Sequence, residues 1–220
     1  MVVNKTTYKD YVVAHVYEQL QKGELNPGDK ILESHLAAEL DLSRAPVREA
    51  LRQLVGDGLL TYKPQVGNFV ASLSPKEILD AYVTRGLLEG FSVAEALEDF
   101  TEEDLADLEK LCLQMEQYAR RGKQKELIEI GTKFHQLLFN KSNNLQLIEY
   151  TQRLSHKLHL LFYKHWASLY MPEEIRERHQ TLVSVLRKKN RGLAEQALRQ
   201  HYIETGLKVA RFYEENEKGE

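Results

Sequence analysis

Cysteine is nearly absent from this chain: Cys112 is the only one among 220 residues. One thiol excludes an intrachain disulfide framework and suits a reducing compartment, so a cytoplasmic location is expected. Long apolar runs are absent as well. No stretch approaches the roughly eighteen consecutive apolar residues of a membrane span, and the first residues lack the cationic-then-apolar order of a secretion signal. No membrane is therefore expected among the partners. Charge of one sign is missing too, since 30 Lys and Arg stand against 33 Asp and Glu. The net charge of −3 points to no partner by itself. Internal repeats and low-complexity tracts are lacking, and no strand pattern appears beyond the first third of the chain. At 42% hydrophobic and 29% charged residues, the chain can bury a sizeable core in one or two domains.

The most organised stretch runs from Leu42 to Leu60, LSRAPVREALRQLVGDGLL. Ser43 is placed as an N-cap, Pro46 falls in the first turn, and Gly58 follows Asp57 as a helix-ending glycine. Val47, Ala50, Leu51, Leu54 and Val55 recur at the spacing of one buried stripe. Arg44, Arg48 and Arg52 follow at steps of four on an adjacent face. A planar guanidinium fork suits both phosphate oxygens and the O6/N7 edge of guanine, so this row is a candidate DNA reader. Beside Glu49 and Asp57, the same row in isolation would read as an ordinary solvated face.

The flanking sequence favours the DNA reading. Leu36, Ala37 and Leu40 predict a short amphipathic helix ending at Asp41-Leu42, which leaves a tight turn before Ser43. Downstream, Leu59 to Lys63 and Asn68 to Ala71 are β-prone runs separated by Pro64 to Gly67, the pattern of a hairpin wing. A side chain at Gly67 would obstruct close approach of the wing tip to DNA. Residues 1–72 carry eight Lys and Arg against nine acids, but from Arg44 through Lys63 the cations outnumber Glu49 and Asp57. Local field at a groove matters more than the domain sum. Upstream, Thr7 with Asp10 forms a capping pair for a first helix whose apolar face is Val13, Val16, Tyr17 and Leu20, with Gly23 ending it. The stretch GELNPGDKILESHLAAELDLSRAPVREALRQLVGDGLLTYKPQVGNFV closely resembles the DNA-binding domain of the GntR family of bacterial transcription regulators. The shared features are the Pro27-Gly28 turn, Leu36-Ala37, Ser43 to Leu51, Gly58-Leu59 and Gly67 to Val70. The resemblance assigns DNA contact to Ser43, Arg44, Arg48, Arg52 and Gly67.

Ser74 with Glu77, and Pro75 at the first helical position, mark the start of a second domain. The expected fold class is mostly α. A winged helix-turn-helix with a small hairpin wing occupies residues 1–72, and an all-α bundle of about six helices occupies 73–220. The helices are expected near 75–99, 102–121, 124–140, 145–170, 172–189 and 192–216, punctuated by Thr101 with Asp104, Gly122, Ser142 to Asn144, Met171-Pro172 and Arg191-Gly192. His135, His179 and His201 fall on three different predicted helices, and histidines from separate bundle helices can converge on one ion. Taken singly, such a residue is more often a hydrogen-bonded core histidine. Trp166 reads as packing.

Residues 75–216 resemble the FCD ligand-binding domain of one GntR subfamily, which implies a metal set of Asp and His four apart followed by two more histidines. His135, His179 and His201 match the histidines, but Gly131 stands where the Asp would be. The implied site is three imidazoles without a carboxylate, for a divalent ion such as zinc or nickel. Arg85, in RGLLE with Glu89, resembles the subfamily arginine that meets an effector carboxylate. Its alternative is an i,i+4 surface salt bridge. Asn144 matches a turn that caps a helix or touches ligand. The resemblance implies a transcription regulator and not an enzyme: a homodimeric repressor on double-stranded DNA at a palindromic operator, controlled by a small carboxylate effector. A metal-sensing regulator and a three-histidine metal hydrolase with a DNA-binding head are the alternatives, the latter without a motif-placed general base.

Overall fold

The computed structural model describes residues 7–162 and 169–217. These form two compact units, residues 7–73 with 156–162 and residues 74–155 with 169–217. Among the described residues no helix is long and apolar enough to cross a membrane.

The first unit contains α1 (Tyr8–Lys22), β1 (Lys30–Ile31), α2 (Glu33–Glu39), α3 (Arg44–Gly56), β2 (Leu60–Lys63) and β3 (Gly67–Val70). Thr7 and Asp10 form the expected capping box, and Gly23 in the left-handed region at φ +70° ends α1. α3 packs against both α1 and α2, and the buried residues there are Val12, Val13 and Val16 of α1, Leu36 and Ala37 of α2 and Val47, Ala50, Leu51 and Leu54 of α3. The arginine-bearing side of α3 is thereby left outward. The wing is larger than the predicted hairpin. β1 adds a third strand in the antiparallel order β1-β3-β2, with Lys30 opposite Phe69. Two residues are too short to show alternation, so β1 left no periodic signal.

One cap differs from expectation. Ser43 occupies the N-cap of α3, yet its hydroxyl accepts no capping hydrogen bond. Thr7, Ser74 and Thr101 all accept from the N–H three residues on. At that position after Ser43 stands Pro46, which has no N–H to give.

The second unit is helical: α4 (Pro75–Glu95), a 3₁₀ turn (Leu97–Asp99), α5 (Glu102–Arg120), α6 (Gln124–Phe139), α7 (Leu145–Phe162, of which residues 145–155 belong to this unit), α8 (Pro172–Leu186) and α9 (Arg191–Glu217). These match the six expected helices. The expected 145–170 helix is described only in part, and the packing role assigned to Trp166 lies outside the described residues. The most extensive packing joins α4 to α9. A Cβ on Gly86 would come within 3.2 Å of the Arg199 backbone, and one on Gly206 within 2.7 Å of Tyr82 Cβ. Glycine therefore sets the close approach of these helices, which brings Arg85 and Glu89 to Tyr202.

Candidate functional site

Two constellations emerge, one in each unit. In the first, Ser43, Arg44, Arg48 and Arg52 are all exposed along α3. Between α3 and the wing lies a groove of about 480 Å³, lined by Glu33, Arg48, Arg52, Tyr62 and Asn68 among others. The arginines are not equivalent. Arg48 donates from Nε to Glu33 Oε2 at 3.0 Å and from its terminal nitrogen to Oε1 at 2.7 Å, a two-bond fork across 15 residues of sequence. That hydrogen bonding holds the Glu33 carboxyl below its ordinary range against the desolvation that raises it, and the charges of Arg48, Arg44 and Arg52 assist. Glu33 belongs to no linear motif with Arg48, so sequence spacing could not reveal it.

Register divides the wing into two faces. Tyr62 and Asn68 point toward the groove, whereas Lys30, Thr61, Lys63 and Phe69 share the opposite face. The Lys30 and Lys63 ammonium groups lie 5.9 and 4.8 Å from the centroid of the Phe69 ring. Lys30 was not anticipated, because it depends on the unforeseen β1. Gly67 has φ +124°, so the turn itself requires glycine whether or not DNA approaches it.

In the second unit α6, α8 and α9 deliver His135, His179 and His201 to one place. One ligand nitrogen from each lies within 4.8 Å of the others. His135 and His201 are buried and His179 is half-buried. Burial pushes all three imidazoles down, His179 to about 4, and the charge of Arg178 adds to this at each ring. They are neutral near pH 7, the form in which imidazole coordinates a metal. Two ring tautomers follow from the hydrogen bonds. His179 Nδ1 is 2.6 Å from the Ile175 carbonyl, which only accepts, so Nδ1 carries the proton and Nε2 the lone pair. The Tyr202 hydroxyl donates to Glu89 Oε2 at 2.5 Å and accepts from His135 Nδ1 at 2.7 Å, leaving His135 Nε2 unprotonated. Three neutral nitrogen donors with two orientations fixed by their other nitrogen suit a divalent transition metal.

Among the described residues no carboxylate joins the three imidazoles as a possible ligand, as expected, but one lies on the far side of His135. Gly131 supplies no acid, but the fully buried Glu89 places Oε2 3.3 Å from His135 Nδ1. Arg85 is likewise no surface residue. At 2% exposure it donates from Nε to Glu89 Oε1 at 2.7 Å and stacks 4.5 Å from the Tyr202 ring centroid. A second arginine, unforeseen although it adjoins His179, is Arg178. It donates to the His201 carbonyl and to Thr205 Oγ1, both at 2.9 Å, and to Glu204 Oε2 at 3.1 Å. Asn144 is exposed and accepts from the Leu147 N–H at 3.2 Å, capping α7, and no contact joins it to the imidazoles among the described residues.

Comparison with known proteins addresses both units. Residues 8–70 match the bacterial regulatory proteins of the gntR family, and residues 80–204 match the FCD domain. The chain is 31% identical over 191 residues to the HTH-type transcriptional regulator YdhC of Bacillus subtilis (strain 168), covering 84% of this chain and 85% of that protein. It is 29% identical over 180 residues to the HTH-type transcriptional regulator McbR of Escherichia coli (strain K12), covering 79% of each. The solved structure of E. coli McbR/YncC aligns with a TM-score of 0.73 at 25% identity, covering 96% of this chain and 99% of that one. A winged helix with an outward arginine row, followed by a helical unit that gathers three histidines, is thus matched in both halves by one kind of regulator. This chain belongs to the GntR family of bacterial transcription regulators and carries an FCD domain after its DNA-binding domain.

Proposed function

We propose that this regulator is a homodimeric, cytoplasmic repressor of a palindromic operator, released or retained by a small carboxylate that binds beside a divalent ion in the FCD domain. The DNA-binding domain is assigned to residues 1–72 and the effector and dimerisation domain to 73–220. The observation that carries the effector reading is the convergence of three neutral imidazoles with two arginines. His135, His179 and His201 would hold the ion, zinc or nickel by the nitrogen donor set. Once bound, the ion would supply a positive centre able to take a carboxylate oxygen. Arg178, half-buried beside the imidazoles and paired with the more exposed Glu204, would meet the rest of an anion. Arg85 is the second, enclosed by Glu89 and Tyr202. Nearby, the buried Tyr82 hydroxyl lies in the field of Arg85 without a hydrogen-bond partner among the described residues, a donor open to a polar ligand.

On DNA, Arg44 and Arg52 offer free forks to base edges, Ser43 an uncommitted hydroxyl to the backbone, and Arg48 a fork oriented by Glu33. The repressor sense agrees with a relative named as a probable D-xylose utilization operon transcriptional repressor of Paenarthrobacter nicotinovorans, 28% identical over 203 residues. A thermal-shift screen of small carboxylic acids, with zinc, with nickel and after chelation, tests the effector half. Stabilisation that needs both acid and metal is the expected result. A shift with metal alone, reproduced in operator gel shifts, would instead make the ion the signal. Absence of metal in the untagged protein, with no shift on adding zinc or nickel, would remove the site.

A further inference from the structure

Glu89 stands out among the buried groups that the function above leaves unused. Two carboxylates are buried among the described residues of the helical unit, and Glu116 is committed to Arg120 and Arg176. Glu89 is fully enclosed, and hydrogen bonds to it form a directed chain. Arg85 Nε donates to Oε1 at 2.7 Å, the Tyr202 hydroxyl donates to Oε2 at 2.5 Å, and His135 Nδ1 lies 2.7 Å from that hydroxyl and 3.3 Å from Oε2. The order of donation is forced. A tyrosine whose proton goes to a carboxylate presents only its lone pairs to a third group, so His135 must donate from Nδ1.

This arrangement answers a physical difficulty of the metal reading. Arg85, stacked on the Tyr202 ring beside His135, and Arg178, bonded to the His201 carbonyl and also to Glu204, both carry positive charge close to the imidazoles. A divalent cation entering that field without any nearby anion would be opposed at a site of low dielectric constant. Gly131 withholds the acid one helical turn before His135, although a side chain there would meet nothing nearer than Met115 Sδ at 3.8 Å. We infer that Glu89 is the positioning carboxylate of this metal centre: directly and through Tyr202 it holds His135 with Nε2 toward the ion, and its charge offsets that of the buried Arg85 beside the site. The inference rests on the metal reading above. An imidazole that donates its other N–H to a carboxylate is both oriented and made a stronger donor, and loss of such a partner weakens metal affinity by about 10- to 100-fold.

Zinc affinity of the full-length protein, measured by competition with a chromophoric chelator, tests this with Glu89→Gln, which keeps the shape and removes the charge. Nitrogen-15 NMR of the histidine rings in the metal-free protein supplies a readout that mere structural damage would not produce. Glu89→Gln is expected to bind zinc about 10- to 100-fold more weakly and to loosen the Nδ1–H tautomer of His135. His179, tied to the Ile175 carbonyl, should keep its own tautomer and serves as the internal control. Should Glu89→Gln fail to fold, Tyr202→Phe takes its place, since it spares the Arg85–Glu89 pair while deleting the hydroxyl. It should lower zinc affinity by about tenfold. Wild-type zinc affinity in whichever variant folds would overturn the role of Glu89 while leaving the metal site standing. A wild-type protein that binds no zinc would overturn the metal reading, and this inference with it.

Discussion

Ser43 and Ser74 hold the same place at the start of a helix, yet only Ser74 caps. Ser74 Oγ accepts from the Glu77 N–H at 3.3 Å, while the residue three beyond Ser43 is Pro46. Ser74→Ala should therefore destabilise the protein by about 1 kcal/mol, and Ser43→Ala should cost far less stability while weakening operator binding. Urea unfolding and gel shifts on the two variants check both halves of the claim, and equal destabilisation would contradict it. Histidine makes a second prediction at this scale. In chelator-treated protein the imidazoles sit below their unfolded value of about 6.5, His179 near 4. Between those values the unfolded chain binds more protons than the folded one, so stability is full above about pH 7 and falls as pH drops toward 4. Each histidine that titrates contributes at most ~1.4 kcal/mol per pH unit. Unfolding midpoints at pH 7.5, 6 and 5 should decline in that order. A midpoint constant over this window would mean that the rings are not buried and neutral.

Among the elements, the strand that sequence periodicity cannot show is the one that completes the wing. β1 contributes only Lys30 and Ile31, but pairing with β3 sets Lys30 beside Lys63 around Phe69. If both ammonium groups meet phosphates, Lys30→Ala and Lys63→Ala should each reduce the slope of log affinity against log salt by about 1, with little change in sequence preference. Slopes identical to wild type would take this face of the wing out of contact with DNA. Gly67→Leu is a poorer probe, because φ +124° would strain any side chain there before DNA is considered. The helices α4 and α9 show the complementary case. Their amphipathic patterns predict both elements, while the glycines at 86 and 206 that let them touch are known as contact points only once the two are paired.

For the whole molecule, the proposed control of operator binding by an effector requires the two sites to be linked by the same free energy in both directions. If the effector lowers operator affinity by some factor, operator DNA must lower effector affinity by that factor. Titrating effector into metal-loaded protein with and without operator should return the ratio seen in gel shifts, and a mismatch would mean that the ligand acts by another route. The sequence alone determined the order of the domains, the arginine row of α3, the helices after Ser74 and the three histidines, because each rests on spacing within a single element. Caps, stripes and turns are local interactions, and locality is what a linear pattern records. Tertiary structure decided the rest. It put the Arg48 fork on Glu33, buried the Arg85–Glu89 pair that could have been a surface bridge, and placed Arg178 on the His201 carbonyl. It also brought a carboxylate to His135 from a helix 46 residues earlier in the chain, the distance in sequence between Glu89 and His135. Burial and partners across helices depend on which faces meet, and that is settled by packing rather than by any repeat along the chain.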